Sequence, residues 1–388
     1  MSADEAARAL DVTLATLYTY VSRKNIRAQK QPGSRSSRYL RADIEQLRAG
    51  ASPEAAHSPP RALAVSSAVT LVTEGGSYYR GQSAIELARH ASLEDIARLL
   101  WDSDGVDPFG DDIPAPPAQW RALLKATRGY NPQDRLAMLL PALESGNSRA
   151  HDLSKVSVQR SGAHILRAAA AIFLDQEELA SGPLHRYIAS VTGCGPALEE
   201  ALRHVLVLAA DQALEPATFA VRATANTGAT PYRCVLAGFA AISGKRLAAV
   251  RTASYGRFLN EIEASSDPTE PIRVRFRENE ELPGFGPSPF AVPDPRASAL
   301  HEVLQVKLSG DARFRHFDRA MQLASELSGR GPDFAFLAAL ITRQIGADPY
   351  GNLIRLSRIV GWIAHSLEQQ LDQPLLRFAL TYTGTLPK

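Results

Sequence analysis

The sequence predicts a mainly α-helical body preceded by a small winged helix-turn-helix module. Three observations carry this: helical periodicity dominates beyond residue 61, alternating strand patterns are scarce, and the N-terminus is basic and broken by turn residues. ADEAARAL, from Ala3 to Leu10, reads as a short helix, and Asp11, Val12 and Thr13 supply a turn and an N-cap for a second helix through Tyr20 and Val21. Pro32 and Gly33 then break a segment with the proportions of a wing, and YLRADIEQL reads as its closing strand and helix, so residues 1–49 form a first domain. GASPEAAHSPPR, residues 50–61, has no amphipathic period and reads as a linker. Further on, Ser92 and Asp95 form a capping-box pattern ahead of Leu93, Ile96 and Leu100. Pro196 opens a helix with Leu198, Leu202, Val205 and Ala209 on one face. The clearest strand signal is Ile272, Val274 and Phe276 alternating with Arg273, Arg275 and Arg277.

A chain of 388 residues with 45% hydrophobic content can bury a large core and hold two or three domains. Two cysteines, Cys194 and Cys234, are too few for a disulfide framework and lack metal-ligand spacing, which fits a reducing cytoplasm and no bound metal. No apolar run approaches the roughly 20 residues of a membrane span. The net charge of +2 is small, but Arg23, Lys24, Arg27, Lys30, Arg35 and Arg38 fall between Val21 and Leu40 with no acidic residue, and Arg41 extends the run. Clustered cations release counterions from phosphates, and a helix presenting Thr16, Tyr18 and Thr19 suits base edges. These nine residues, Arg41 aside, are therefore the DNA-contact candidates. The same run also fits a plain solvated face. Residues 1–49 resemble the helix-turn-helix domains of the excisionase and MerR type, which implies DNA as a partner.

The remainder carries a second resemblance, in order, from about Leu71 to Gly384. GSYYRGQSAIELARHASLEDIARLLW from Gly76, LVLAADQALEPATFAVRATANTGA from Leu206, the loop GFGPSPFAVPDPRA from Gly284 to Ala297, SRIVGWIAHSLEQ from Ser357 and LLRFALTYTG near the C-terminus are similar to citrate synthase segments. The second matches that family's ADHxxNxSTFxxR stretch and the fourth its GRxxGWxAHxxEQ helix. The resemblance implies a helical homodimer with a large domain, residues 62–211 and 322–388, and a smaller mobile one, residues 212–321. It also implies condensation of an acyl-CoA with oxaloacetate, CoA being a substrate rather than a bound cofactor.

That reaction removes a proton from a weakly acidic carbon, so a carboxylate base and donors for the developing oxyanion are needed. By resemblance Asp333 in GPDFAFLAAL matches the base. The two catalytic histidines are not retained: SGKRLAAV, from Ser243, puts Leu247 at one position, with Ala248 and Ala249 for two glycines, and Pro287 stands at the other. Leucine offers no donor, and proline lacks even a backbone N–H. Lys245, Arg246 and Ser288 are the neighbouring donors. A third histidine, which helps bind the keto acid, is Gln212. Arg296, Arg358 and Arg377 match the family's three carboxylate-gripping arginines, for which guanidinium forks are suited; pairing with Asp294, Glu368 or other acids is the alternative. Pro287, Pro289, Pro293 and Pro295 stiffen the loop, and Phe290 replaces a tyrosine.

The remaining polar residues read as structural. His185, His204, His301 and His316 lack metal spacing, His365 reads as packed, Asp175, Glu177 and Glu178 read as solvated surface, and Trp362 reads as core. Two functions follow as expectations. One is a metabolite-responsive regulator or non-canonical subunit in which the body binds an oxaloacetate- or citrate-type carboxylate and dimerises the DNA-binding module. The other is a citrate synthase using rewired donors or completing an intact paralogue's site through Arg377.

Overall fold

The structure is a computed structural model that describes residues 1–10, 12–23, 28–30, 37–39, 44, 66–110, 113–213, 215–244, 250–286, 294–346 and 352–371. The chain divides into two compact units, Met1–Ser66 and Ser67–Lys388.

In the first unit, α1 (Ala3–Leu10) and α2 (Leu14–Arg23) precede a short antiparallel pair, β1 (Ala28–Lys30) and β2 (Ser37–Tyr39), with Ala28 opposite Tyr39. Local capping sets both helix starts. Ser2 and Glu5 bond reciprocally, backbone to side chain, and Thr13 Oγ1 accepts the Thr16 N–H at 3.2 Å. Ala6, Ala7, Leu17, Tyr39 and Ile44 form a small core of their own, and the Met1 ammonium donates to the Tyr39 carbonyl at 2.8 Å. The second helix runs two residues past Val21. Lys24, Arg27, Pro32, Gly33, Arg35, Arg41 and the 50–61 linker lie outside the described residues.

The second unit opens with a three-stranded antiparallel sheet, β3 (Thr70–Thr73), β4 (Gly76–Tyr79) and β5 (Gln82–Ser83), in that order. Everything after it that is described is helical or connecting. First come α3 (Ala84–Ala88), α4 (Leu93–Leu100), α5 (Trp120–Ala126), α6 (Pro132–Gly146) and α7 (Lys155–Phe173). Then follow α8 (Leu184–Thr192), α9 (Pro196–Leu208), α10 (Pro216–Ala225), α11 (Pro231–Ile242), α12 (Val250–Ala264) and α13 (Glu270–Arg277). The last four are α14 (Pro295–Leu308), α15 (Ala312–Ser328), α16 (Phe334–Gln344) and α17 (Asn352–Leu371). Ser92 closes the expected capping box with Asp95 at the start of α4, and Pro196 occupies the first turn of α9.

The expected strand at residues 272–276 is instead α13. Pro271 presets the first helical turn, and only Ile272 is buried, while Phe276 is 53% exposed. The arginines that mimicked alternation serve separate acids: Arg275 pairs with Glu261 and Glu280, and Arg277 pairs with Glu270. A period of two read over five residues is too short to exclude a helix.

The core lies between α7 and α17, with α10 and α11 against them. Four consecutive buried alanines, Ala168 to Ala171, near the C-terminal end of α7 keep its surface small where neighbours pack. Trp362 is fully buried and meets Phe239 edge-on with ring centres 5.1 Å apart. Trp101 donates its indole N–H to the Val360 carbonyl at 2.9 Å. Among the described residues no helix is long and apolar enough to cross a membrane, and no group of histidines, cysteines and acids is placed to hold a metal ion. Cys194 and Cys234 are free thiols.

Candidate functional site

Residues 358, 361, 365 and 369 share one face of α17 because three to four residues complete a helical turn. That face meets Asp211, which lies three residues past the end of α9. Gly361 makes the approach possible. Its N–H donates to the Ala210 carbonyl at 3.1 Å, and a Cβ there would stand 2.7 Å from the same oxygen and 2.8 Å from the Asp211 Cβ. Only glycine fits.

Asp211, fully buried, accepts from Arg358 Nη1 and from His365 Nε2, both at 3.1 Å. His365 Nδ1 lies 3.3 Å from Arg222 Nη1. An arginine only donates, so Nδ1 accepts and Nε2 carries the proton shared with Asp211. Burial opposes the charge on Asp211, yet His365 and the Arg358 guanidinium hold its carboxyl well below the usual carboxylate range. Arg222 continues the chain to Glu368 at 2.5 Å and to Gln369 Oε1 at 3.1 Å. Glu368 in turn accepts the Ala68 N–H at 2.6 Å. Desolvation opposes its charge too, but the Ala68 bond and Arg222 hold the Glu368 carboxyl low. Buried charges are costly unless paired and bonded in this way.

Arg358 is 1% exposed and carries a second acid. Nη2 donates to Glu215 Oε1 at 2.5 Å and to Thr218 Oγ1 at 3.0 Å. Glu215 is the N-cap residue of α10, and Thr218 lies in its first turn. The Glu215 side chain does not cap the helix. The sequence reading missed this residue, although a signal was present: Glu215 stands where the motif ADHxxNxSTFxxR has asparagine.

Arg296 sits at the start of α14, whose N-cap is Asp294. Asp294 takes the arginine in a two-pronged grip, Nε to Oδ1 at 3.2 Å and Nη2 to Oδ2 at 2.8 Å. For Arg296 the pairing alternative with Asp294 is the geometry present, while Glu368 pairs with Arg222 rather than Arg358. The Arg296 guanidinium also lies over the Phe334 ring, 5.0 Å from its centre. Tyr79 is buried beside Asp211, whose N–H donates to its hydroxyl at 3.4 Å. Its hydroxyl donates to the Val207 carbonyl at 2.9 Å, and burial first, then Asp211, raise its pKa against the opposing pull of Arg296 and Arg358.

Phe334 follows Asp333 in the chain, so this ring contact ties Arg296 to the residue after the proton-acceptor candidate. Asp333 is the N-cap of α16: Oδ1 accepts the Phe336 N–H at 2.7 Å, and Oδ2 accepts the Tyr255 hydroxyl at 2.5 Å. Its own N–H donates to the Gly284 carbonyl at 2.7 Å. Gly284 has φ of +89° and lies against the Phe336 ring, where a Cβ would come within 2.6 Å, so the first residue of the expected signature loop must be glycine. Tyr255, on α12, was not among the sequence candidates, and its link to Asp333 spans 78 residues.

Gln212 is half-buried beside Asp211, whereas Leu247, Pro287 and Arg377 lie outside the described residues. In the first unit Tyr18 is 55% exposed and Thr19 is exposed, while the hydroxyls of Thr16 and Thr19 bond to Thr13 and to the Ala15 carbonyl. Arg23, Lys30 and Arg38 are placed by backbone alone, on α2, β1 and β2. His204 and His316 bond to the Glu200 and Ile262 carbonyls. Asp175 pairs with Arg128 and Arg135, while Glu177 and Glu178 meet Arg121, so this acidic patch is neutralised on the spot.

Residues 61–379 match the family model for the citrate synthase C-terminal domain. The citrate synthase of Haloferax volcanii is 28% identical over 342 residues, covering 80% of this chain and 90% of its own. Citrate synthase 2 of Bacillus subtilis is 23% identical over 350 residues, 83% of this chain and 94% of its own. Among solved structures, the citrate synthase of Pyrobaculum aerophilum superposes with a TM-score of 0.69 at 17% identity, covering 94% of this chain and 96% of that one. The Thermoplasma acidophilum enzyme, in a ternary complex with carboxymethyl coenzyme A and oxaloacetate, gives 0.66 at 19% identity, over 84% and 94%.

Proposed function

On the premise that the chain belongs to the citrate synthase family, we propose that it joins an acyl-CoA to a 2-oxo acid, with Asp333 as base and Tyr255 as donor. One observation carries this reading: the Asp333 carboxylate is anchored at a helix start, 2.5 Å from the Tyr255 hydroxyl, with Arg296 over the adjoining Phe334. Asp333 takes a proton from the carbon beside the thioester carbonyl, and the electron pair moves onto the carbonyl oxygen. The Tyr255 hydroxyl turns from Asp333 to that oxygen, the donor role for which Leu247 is unfit. The carbon then attacks the ketone of the 2-oxo acid, and its oxygen, left with the displaced electron pair, takes a proton from water while Asp333 returns its proton to solvent. Water cleaves the thioester and releases CoA. Arg296 and Arg358 line the acid's site and Arg377 of a second copy completes it, while through the same Arg377 this chain completes the site of a histidine-intact paralogue.

The Asp333→Asn variant tests this directly, because asparagine caps a helix about as well as aspartate and so removes the base while sparing the fold. Release of free CoA thiol from acyl-CoA and a 2-oxo acid is expected to fall at least about 10²-fold, within the range for lost acid–base help. Equal turnover in the variant, or none in the native chain with or without such a paralogue, refutes the reading.

A second reading concerns the first unit, and its support is a separate core with Tyr18 and Thr19 exposed on α2. In it residues 1–49 are a winged helix-turn-helix that binds DNA through Thr16, Tyr18, Thr19 and the basic run, making the body a carboxylate-responsive regulator. DNA binding by the whole chain that weakens steeply with salt supports it, and no retention at low salt removes it.

A further inference from the structure

We propose that Glu215 is a resident carboxylate that occupies the Arg358 grip and makes the site select a 2-oxo acid with one carboxylate over one with two. The inference rests on the carboxylate-binding role proposed above. A bidentate carboxylate needs two parallel N–H groups of one guanidinium. Arg358 Nη1 serves Asp211, and both protons of Nη2 are taken by Glu215 and Thr218. Of the three nitrogens only Nε lacks a hydrogen-bond partner among the described residues, and it is buried. No parallel pair is left for a second carboxylate unless Glu215 withdraws.

The charge balance points the same way. With asparagine at this position Arg358 would face a single acid, Asp211, and a substrate carboxylate would complete its neutralisation. With Glu215 at 2.5 Å that neutralisation is already internal. The Glu215 side chain remains 26% exposed, and its Oε2 makes no hydrogen bond among the described residues. An approaching dianion therefore meets a like charge at the arginine that would otherwise receive it. Like charges within a few ångströms in a partly buried site repel strongly. A ligand with one carboxylate need not approach Arg358 and so avoids the clash.

Titration calorimetry on the full chain with pyruvate and with oxaloacetate reads this selectivity, in the native protein and in Glu215→Gln and Glu215→Asn. The native chain is expected to bind pyruvate more tightly. Both variants are expected to shift the affinity ratio toward oxaloacetate by tenfold or more, with pyruvate affinity changing less than threefold. A native preference for oxaloacetate overturns the proposal without needing any variant to fold. An unchanged ratio in variants that retain the native melting temperature overturns it as well. Thioester turnover run in parallel separates the two readings. A shifted ratio without turnover supports Glu215 as selector and sinks the condensing reaction, turnover with an unshifted ratio does the reverse, and no binding of either acid sinks both.

Discussion

Replacing Asp211 by asparagine tests whether its charge is what keeps Arg358 buried. The change keeps the shape of the side chain and removes the charge that faces Arg358 and the His365 proton, both at 3.1 Å. Breaking a buried pair by removing one partner costs about 3–5 kcal/mol. Glu215 stays on Arg358 at 2.5 Å, so the lower end, about 3 kcal/mol, is the expected loss. For a unit of roughly 320 residues, an unfolding entropy of about 2.1 cal/mol/K per residue turns that into a fall in Tm of about 4–5 °C. Calorimetric melting of the full chain at pH 7 measures it. The sign with pH is also determined. The folded Asp211 carboxyl titrates below its usual range, so its stabilisation is complete above the unfolded value near pH 4. It is lost only as pH falls through the lower folded value. Native and variant proteins should therefore differ at pH 7 and converge only in strong acid. A fall in Tm under about 1.5 °C, or a difference that vanishes already at pH 5, refutes the reasoning.

Three further outcomes follow from other parts of the molecule. Gly361→Ala is expected to cost more than about 3 kcal/mol in urea unfolding, because its Cβ collides with the Ala210 carbonyl, a backbone atom that cannot turn aside; a loss within about 0.5 kcal/mol contradicts the close approach. His164, fully buried with Nδ1 2.8 Å from the Tyr232 hydroxyl, is pushed down to about 4 by desolvation. Stability should thus decline by about 3 kcal/mol as pH falls from roughly 6.5 to 4, where the unfolded chain takes up the proton first, and His164→Phe should flatten that slope. Tyr255→Phe removes only the hydroxyl on Asp333, so a loss of about 10²–10³ in kcat with less than about 1.5 kcal/mol in stability is expected; unchanged kcat ends its role as donor.

Local features were legible because their determinants lie within one helical turn. The Ser92–Asp95 capping box, Pro196 in the first turn of α9 and the Ala3–Leu10 helix each rest on residues three or four apart. The same locality explains the error at Ile272–Phe276. Five alternating residues satisfy a strand, but Pro271 and the dispersed acids that serve Arg275 and Arg277 favour a helix. The site was legible only as a set of matched positions. Asp333 and Arg296 are recognisable from the residues around them, whereas Tyr255 lies 78 residues from the carboxylate it serves and Glu215 lies 143 residues from Arg358.

The sequence by itself determined the helical body, which is written in short-range spacing, and through its resemblance to the family's motifs it determined the family and singled out Arg296 and Arg358. Only the tertiary structure decided what those arginines hold. Arg296 is taken by Asp294, and Arg358 by Asp211 and Glu215, at distances of 2.5 to 3.1 Å. A buried guanidinium must find its counter-charge in space, and the close approach of α17 at Gly361, not chain proximity, sets which carboxylates are within reach.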